Sequence, residues 1–390
     1  MGKKKRIFVL RLFIVHILYF IQILLTMTIR EISQVLEQYA PLELQAEYDN
    51  SGLIIGDPDK EISKALITLD ITEEVLDEAI QNNCNLIISH HPLIFRELKR
   101  LIGEDSVQRL TVKAIQNQIA IYALHTNLDN SINGLNAWVC DLLGIKNCRI
   151  LLQEKGLLSK LVTFCPVHHA DHVRQALFDA GAGNIGNYDS CSYNLTGQGT
   201  FRASEKAHPF VGEKNVVHFE TESRIEAIFP RFLEQKLITV LKKNHPYEEV
   251  AYDIYPLSNT AGFAGSGMVG ELDAPIAELQ FLEHIKGQLE IPFLRHSKIT
   301  GRKISRVAVC TGSGAFLIPE AIKIHADIFL TADLKYHDFF EANKQLILAD
   351  IGHYESERFV KDLIYGILIK KFPTFAFLIS KIITNPVYYY

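Results

Sequence analysis

The chain has 390 residues, 48% of them hydrophobic and 22% charged, the balance of a globular protein too long for one ordinary core. A formal net charge of -5 offers no basic stripe to meet a phosphate backbone, which argues against a nucleic-acid partner. Six cysteines without a C-x-x-C pair argue against a disulfide scaffold and for free thiols in a reducing, cytoplasmic setting.

Lys3-Lys4-Lys5-Arg6 followed by the apolar residues 7–25 has the layout of a signal peptide or a membrane anchor. Arg11, His16 and Gln22 interrupt the stretch, and no small-residue cleavage site follows it. Residues 1–26 therefore read as an extension upstream of a start at Met27, outside the fold, with a real membrane anchor as the alternative. Residues 28–39 have helical spacing, and 65–69 read as a strand. Asp70 or Thr72 caps the acidic helix that follows, and 86–89 form a buried strand ending in His90-His91-Pro92. A helix over 106–118 then leads to a strand at 119–124, which delivers His125 and Asp129. Over 27–152 this alternation predicts an α/β half with a largely parallel sheet covered by helices.

The texture changes over 153–264. Strands at 161–166, 224–229 and 250–255, with helices at 170–180 and 231–242, suggest an inserted α+β domain of ferredoxin-like character. Over 265–390 the α/β pattern resumes. A strand at 304–310 ends in Gly312-Ser313-Gly314, and a helix at 318–325 leads to a strand at 327–331. A helix near 338–343, a strand at 345–349 and a long helix from 354 to 371 follow. Tyr388-Tyr389-Tyr390 reads as a short edge strand or a frayed end.

Ligands of open α/β sheets bind outside the carboxyl ends of the strands. His90, His91, His125, Asp129, His353 and Glu357 all follow such ends, and His353 and Glu357, four apart, share a helix face. A lone buried histidine is more often a hydrogen-bonded core residue than a ligand, but three coincident clusters argue for a metal site. Mixed imidazole and carboxylate donors favour Zn, Mn, Fe, Co or Ni over Mg or Ca. One catalytic zinc uses three protein ligands, so this many candidates suit two divalent ions roughly 3.5–4 Å apart, with Asp129 as the natural bridge. Thr331, Asp333 and His337 follow a further strand, either lining the pocket as acid, base or orienting groups or forming a solvated loop. Gly312 to Gly314 offer backbone N–H groups to a phosphate or make a plain tight turn. Cys165, His168, His169 and His172 read as an exposed helix start, since no second cluster completes a shell.

The motifs Ile88-Ser89-His90-His91-Pro92, His125-Thr126-Asn127-Leu128-Asp129 and Gly352-His353-Tyr354-Glu355-Ser356-Glu357 closely resemble those of the Nif3-like family, also called GTP cyclohydrolase I type 2. Asp49-Asn50-Ser51-Gly52-Leu53 and Thr331-Ala332-Asp333-Leu334-Lys335-Tyr336-His337 add to the resemblance, which runs from Met27 to the C-terminus. It implies a dinuclear metal centre with His90, His91, Asp129, His353 and Glu357 as ligands, and a ring-shaped homohexamer. His125 becomes an outer-sphere or substrate-side residue, and His125, His337 and Asp333 the candidate catalytic groups. The implied activity is hydrolytic opening of a nucleotide guanine ring at C8 with release of formate. The alternative is a metal-binding regulatory or scaffold protein whose insert senses a small molecule or docks a partner. That insert is similar to a PII- or CutA-like domain, on Gly181 to Gly186, Asn187-Tyr188 and Asn244-His245-Pro246-Tyr247-Glu248-Glu249. Two departures stand out: Ala332 replaces the family's usual glycine, and residues 1–26 have no counterpart in the family.

Overall fold

The computed structural model describes residues 27–388, so the expectations for residues 1–26 and for Tyr389 and Tyr390 lie outside the described residues. The first half opens with α1 (Ile29–Tyr39), whose start is fixed by a capping box between Thr28 and Glu31. It continues with β1 (Gly52–Ile55), β2 (Lys64–Thr68), α2 (Glu73–Gln81), β3 (Leu86–Ser89), α3 (Ser106–Gln116) and β4 (Ala120–Ala123). The short α4 (Thr126–Asp129), then α5 (Leu135–Leu142) and β5 (Lys146–Lys155), complete it. Thr72 caps α2, accepting from the Val75 N–H; Asp70, the other candidate cap, is engaged elsewhere.

The chain divides into two compact units, of which Gln153–Phe263 is one. In it β6 (Leu158–Pro166), α6 (Ala170–Asp179), β7 (Tyr193–Arg202), β8 (Val217–Pro230), α7 (Glu234–Asn244) and β9 (Tyr252–Leu257) form an antiparallel sheet in the order β9-β6-β8-β7. That βαββαβ order is ferredoxin-like, as expected. Its core is Leu161, Val173, Leu177, Ile225, Phe229, Leu237 and Leu241. The expected plan lacks β7, whose residues YNLTGQGTFR carry two glycines and stand largely exposed, so no apolar alternation marks them.

The second half runs through β10 (Thr260–Ala277), α8 (Glu278–Leu289), β11 (Arg295–His296), β12 (Lys303–Ser313), α9 (Ile318–Lys323), β13 (Ile328–Ala332) and α10 (Asp338–Glu341). It ends with β14 (Ile347–Asp350), α11 (His353–Glu357), α12 (Val360–Lys371) and β15 (Ala376–Ile379). The single helix expected over 354–371 is in fact two. The break lets α11 present His353 and Glu357 while α12 turns Val360, Ile364 and Leu368 into the core.

The first sheet has the order β15-β2-β3-β4-β1, parallel except for β1. The second has the order β11-β14-β13-β12-β10-β5, with β12, β13 and β14 parallel. Apolar clusters cover both faces of each sheet, which is why the parallel strands are almost uninterrupted runs of Ile, Leu, Val and Ala. β3, β4 and β14 are each four residues long and wholly buried, so their next residues emerge at the carboxyl ends.

Candidate metal centre

His90 and His91 leave β3, and the N–H of each donates to the Leu69 carbonyl, at 3.2 and 3.0 Å. His125 leaves β4, and Asp129 closes the single turn of α4. His353 and Glu357 sit one turn apart on α11, which follows β14. These six side chains meet. Ring centroids of His90 and His91 lie 5.0 Å apart, each lies 5.3 Å from His125, and His91 lies 5.5 Å from His353.

Every one of the four imidazoles has its Nδ1 committed. His90 Nδ1 is 2.6 Å from the Leu124 carbonyl, His91 Nδ1 2.6 Å from Asp70 Oδ1, His125 Nδ1 2.6 Å from Asp49 Oδ1, and His353 Nδ1 2.7 Å from Asp333 Oδ2. An acceptor at Nδ1 orients the ring and fixes the tautomer of its neutral form, in which the Nε2 lone pair is available, the arrangement found behind metal-ligating histidines. The Nε2 atoms converge on the acids. His91 and His353 Nε2 each lie 3.0 Å from Glu357 Oε2, and His90 Nε2 lies 3.8 Å from Asp129 Oδ1 and 3.9 Å from Glu357 Oε1. Yet His90 Nε2 and Asp129 Oδ1 are buried with no hydrogen-bond partner. Orphaned donor atoms of this kind, aimed at one another, fit a cation between them. The ligand atoms of His90, His91 and His125 form one group that could hold a metal, and those of His91, His353 and Glu357 another.

The charges show the same conflict. Burial pushes His90 down to about 3. Burial also works against charge on His91, but the carboxylates of Asp70 and Glu357 outweigh it and hold the imidazole up at about 10. Glu357 and Asp333 likewise overcome burial to hold His353 at about 9. Burial and the charge of Glu357 raise Asp129 well above the usual carboxylate range. Glu357 goes the other way: His353 and His91 hold it far below, despite its burial.

Supporting contacts fix the frame. Asn136 donates from Nδ2 to the Asp129 carbonyl at 3.1 Å and accepts from the Thr311 N–H at 2.8 Å. Gly312 lies at a bulge near the end of β12 with φ 62°, and its N–H donates to Ser356 Oγ at 3.0 Å. That donor is spent within the fold and is not offered to a phosphate. A cavity of about 230 Å³ opens onto His125, Asp129, His353 and Glu357, walled by Tyr48, Phe316, Asn130, Ser266 and Ser313. Tyr48 and Phe316 are 69% and 60% exposed.

Asp333 accepts from His353 Nδ1 and so orients that histidine, and it is absent from the lining of this cavity. His337 is not drawn in: it is exposed, with its ring against Tyr336 and Phe340 at the start of α10. Cys165 is buried, while His168 and His172 stay exposed, and they form no metal-type cluster among the described residues. Asp49 and Asp70 escaped the sequence reading as site residues. Their partners lie 76 and 21 positions away, a separation that no periodicity reveals, although Asp49 falls in a stretch that the family resemblance marks.

The fold and the cluster define an α/β protein with an inserted ferredoxin-like unit and a histidine–carboxylate centre between the strand ends of its two sheets. The chain belongs to the Duf34/NIF3 (NGG1p interacting factor 3) family, which it matches over residues 27–386. It is 38% identical to a GTP cyclohydrolase 1 type 2 homolog of Halalkalibacterium halodurans over 82% of this chain and 87% of that one. It is 36% identical to the Bacillus subtilis protein of the same name over 92% and 97%. Among solved structures, a Bacillus cereus protein related to NIF3 is 37% identical, with a TM-score of 0.81 over 93% of this chain and 99% of that one. No helix among the described residues is long and apolar enough to cross a membrane.

Proposed function

We propose that this chain is a metal-dependent hydrolase that holds two divalent cations on His90, His91, Asp129, His353 and Glu357. The proposed target is a ring carbon–nitrogen bond of a guanine-nucleotide kind of substrate. One observation carries the reading: four imidazoles have anchored Nδ1 atoms, three of them (His90, His91 and His353) turn Nε2 toward two carboxylates, and His90 Nε2 and Asp129 Oδ1 are buried without a partner. The mixed nitrogen and oxygen donors suit Zn, Mn, Fe, Co or Ni. Two such cations supply Lewis acidity and lower the pKa of water toward neutrality. The chain's own residues position the rest. Asp49 holds His125 in the tautomer whose Nε2 is free, at the wall of the cavity, where it can carry a proton. Tyr48 and Phe316 offer ring faces at the cavity mouth, and stacking a heterocycle on such a face is worth about 1–3 kcal/mol. The name carried by the relatives supports a substrate of that class.

Metal-loaded protein assayed on GTP and a panel of nucleotides and phosphoesters tests the reading. Wild type is expected to turn over at least one of them, Asp129→Ala none. His125→Ala is expected to keep its metal and lose roughly 10²–10⁴-fold in rate, as for a lost proton carrier. A wild type no faster than Asp129→Ala on every substrate rejects the hydrolase and favours a regulatory protein. That second reading has its own support in the inserted unit, where a cavity of about 850 Å³ is walled by Phe164, Phe201, Phe210, Tyr247 and Arg224.

Metal uptake is also expected to release protons. His91 and His353, held at about 10 and about 9, are charged in the metal-free protein at neutral pH. Their charged forms stabilise the metal-free fold fully below about pH 6.5, and that contribution disappears as pH rises through the two folded values. Cations take the neutral imidazole, so apparent metal affinity climbs over the same range. Calorimetric titration near pH 7.5 in buffers of different ionisation enthalpy measures the release, and heats independent of buffer would contradict it.

A further inference from the structure

After β15 the chain stays tied to the first sheet and then reaches the residues that support the centre. Ser380 N–H donates to the Ile67 carbonyl at 2.8 Å, and Ser380 Oγ and the Lys381 N–H both donate to Glu78, at 2.5 and 3.0 Å. Lys361 Nζ caps the Ser380 carbonyl at 3.1 Å. With its start so tied, the segment reaches two residues of the centre's support. Thr384 Oγ1 donates to Asp70 Oδ2, the oxygen that His91 leaves free, because His91 Nδ1 takes Oδ1. Asn385 Nδ2 donates to Glu355 Oε1 at 3.0 Å, and Glu355 stands on α11 between His353 and Glu357. Asn385, Pro386 and Val387 then wall a cavity of about 530 Å³ whose other sides include His91, His353, Asp333 and Arg295.

One short segment thus grips the first half at Asp70 and the second half at Glu355. We propose that residues 380–387 are a strap that positions the metal centre, with Thr384 acting through Asp70 on His91. The strap is asymmetric. It touches the supports of His91 and of α11, whereas His90 hangs on the Leu124 carbonyl and His125 on Asp49, to neither of which the strap is hydrogen-bonded among the described residues. It therefore governs the cation nearest His91, His353 and Glu357 and leaves the one nearest His90 and Asp129 unchanged. An Asp70 carboxylate bonded at both oxygens is pinned in its plane, and through it so is the direction of the His91 lone pair; loosening such an outer partner costs about 10–100-fold in metal affinity.

The inference rests on the metal-binding reading, and its test separates the two. Zn²⁺ competition titration and the visible spectrum of the Co²⁺-substituted full chain are measured for wild type, Thr384→Val and Thr384→Ser. Thr384→Val keeps the side chain's shape and loses its hydroxyl. It is expected to weaken one of two ions about tenfold, leave the other within twofold, and shift the Co²⁺ bands, while Thr384→Ser restores wild-type behaviour. Equal weakening of both ions alongside a lowered Tm would mean a merely structural tail and would overturn the strap, as would unchanged affinities and spectrum. A wild-type chain that takes up no metal fails the metal reading instead, whatever the variants do.

Discussion

Glu357→Gln is expected to lower bound metal from two ions to at most one and to weaken what remains by more than about 100-fold, beyond the cost of losing an outer partner. The side chain keeps its size and loses its charge. Glu357 is the carboxylate that both halves share: His91 from the first sheet and His353 from the second each lie 3.0 Å from its Oε2, and His90 lies 3.9 Å from Oε1. Without the anion, His91 and His353 each lose one of the two carboxylates that hold them above the usual histidine range, while His91 keeps Asp70 and His353 keeps Asp333. The imidazoles therefore stay correctly aimed, and the loss falls on charge rather than on geometry. Metal analysis of the purified variant, together with competition titration, measures it. Retention of two ions at wild-type affinity would remove Glu357 from the ligand set and the dinuclear reading with it.

The His90-His91 pair was legible because an apolar run ends at Ser89 and Pro92 follows, which places both rings at a strand end without any knowledge of the rest. Glu357 was legible for the same reason, as the fourth residue after His353 at a helix start. The carboxylates behind the rings were not. Asp70 looks like a helix cap by position, and Asp333 like an acid or base, because a local pattern cannot tell which of several strand-end acids will face another strand's histidine. Elements built on glycine were hidden too. β10 spreads Gly262, Gly265, Gly267 and Gly270 over eighteen residues, which erases the alternation a strand would show. Gly270 needs its missing side chain, since a Cβ there would lie 2.5 Å from the Lys146 carbonyl. His337 misled for the opposite reason: it has the residue type and the strand-end position, but the turn after β13 leaves it against Tyr336 and Phe340.

Gly312→Ala is expected to damage metal binding at least about tenfold without touching any ligand, a loss on the scale of an outer-partner mutation. A Cβ at this position would lie 2.2 Å from Glu357 Oε1 and 3.6 Å from His353 Cε1, on backbone at φ 62° where only glycine is free of strain. The strain alone costs about 1–2 kcal/mol of stability. The clash is a separate matter. Gly312 cannot retreat, because its N–H donates to Ser356 Oγ at 3.0 Å and its carbonyl accepts from Thr331 Oγ1 at 3.1 Å. The carboxylate is what moves, and it moves out of reach of His91 and His353. A double-mutant cycle separates the two effects. Beside Glu357→Ala, which removes the carboxylate the methyl would strike, Gly312→Ala should still lower Tm through its φ while changing metal affinity no further. Additive losses of metal affinity in that cycle would show that Gly312 acts on the centre by some route other than the position of Glu357.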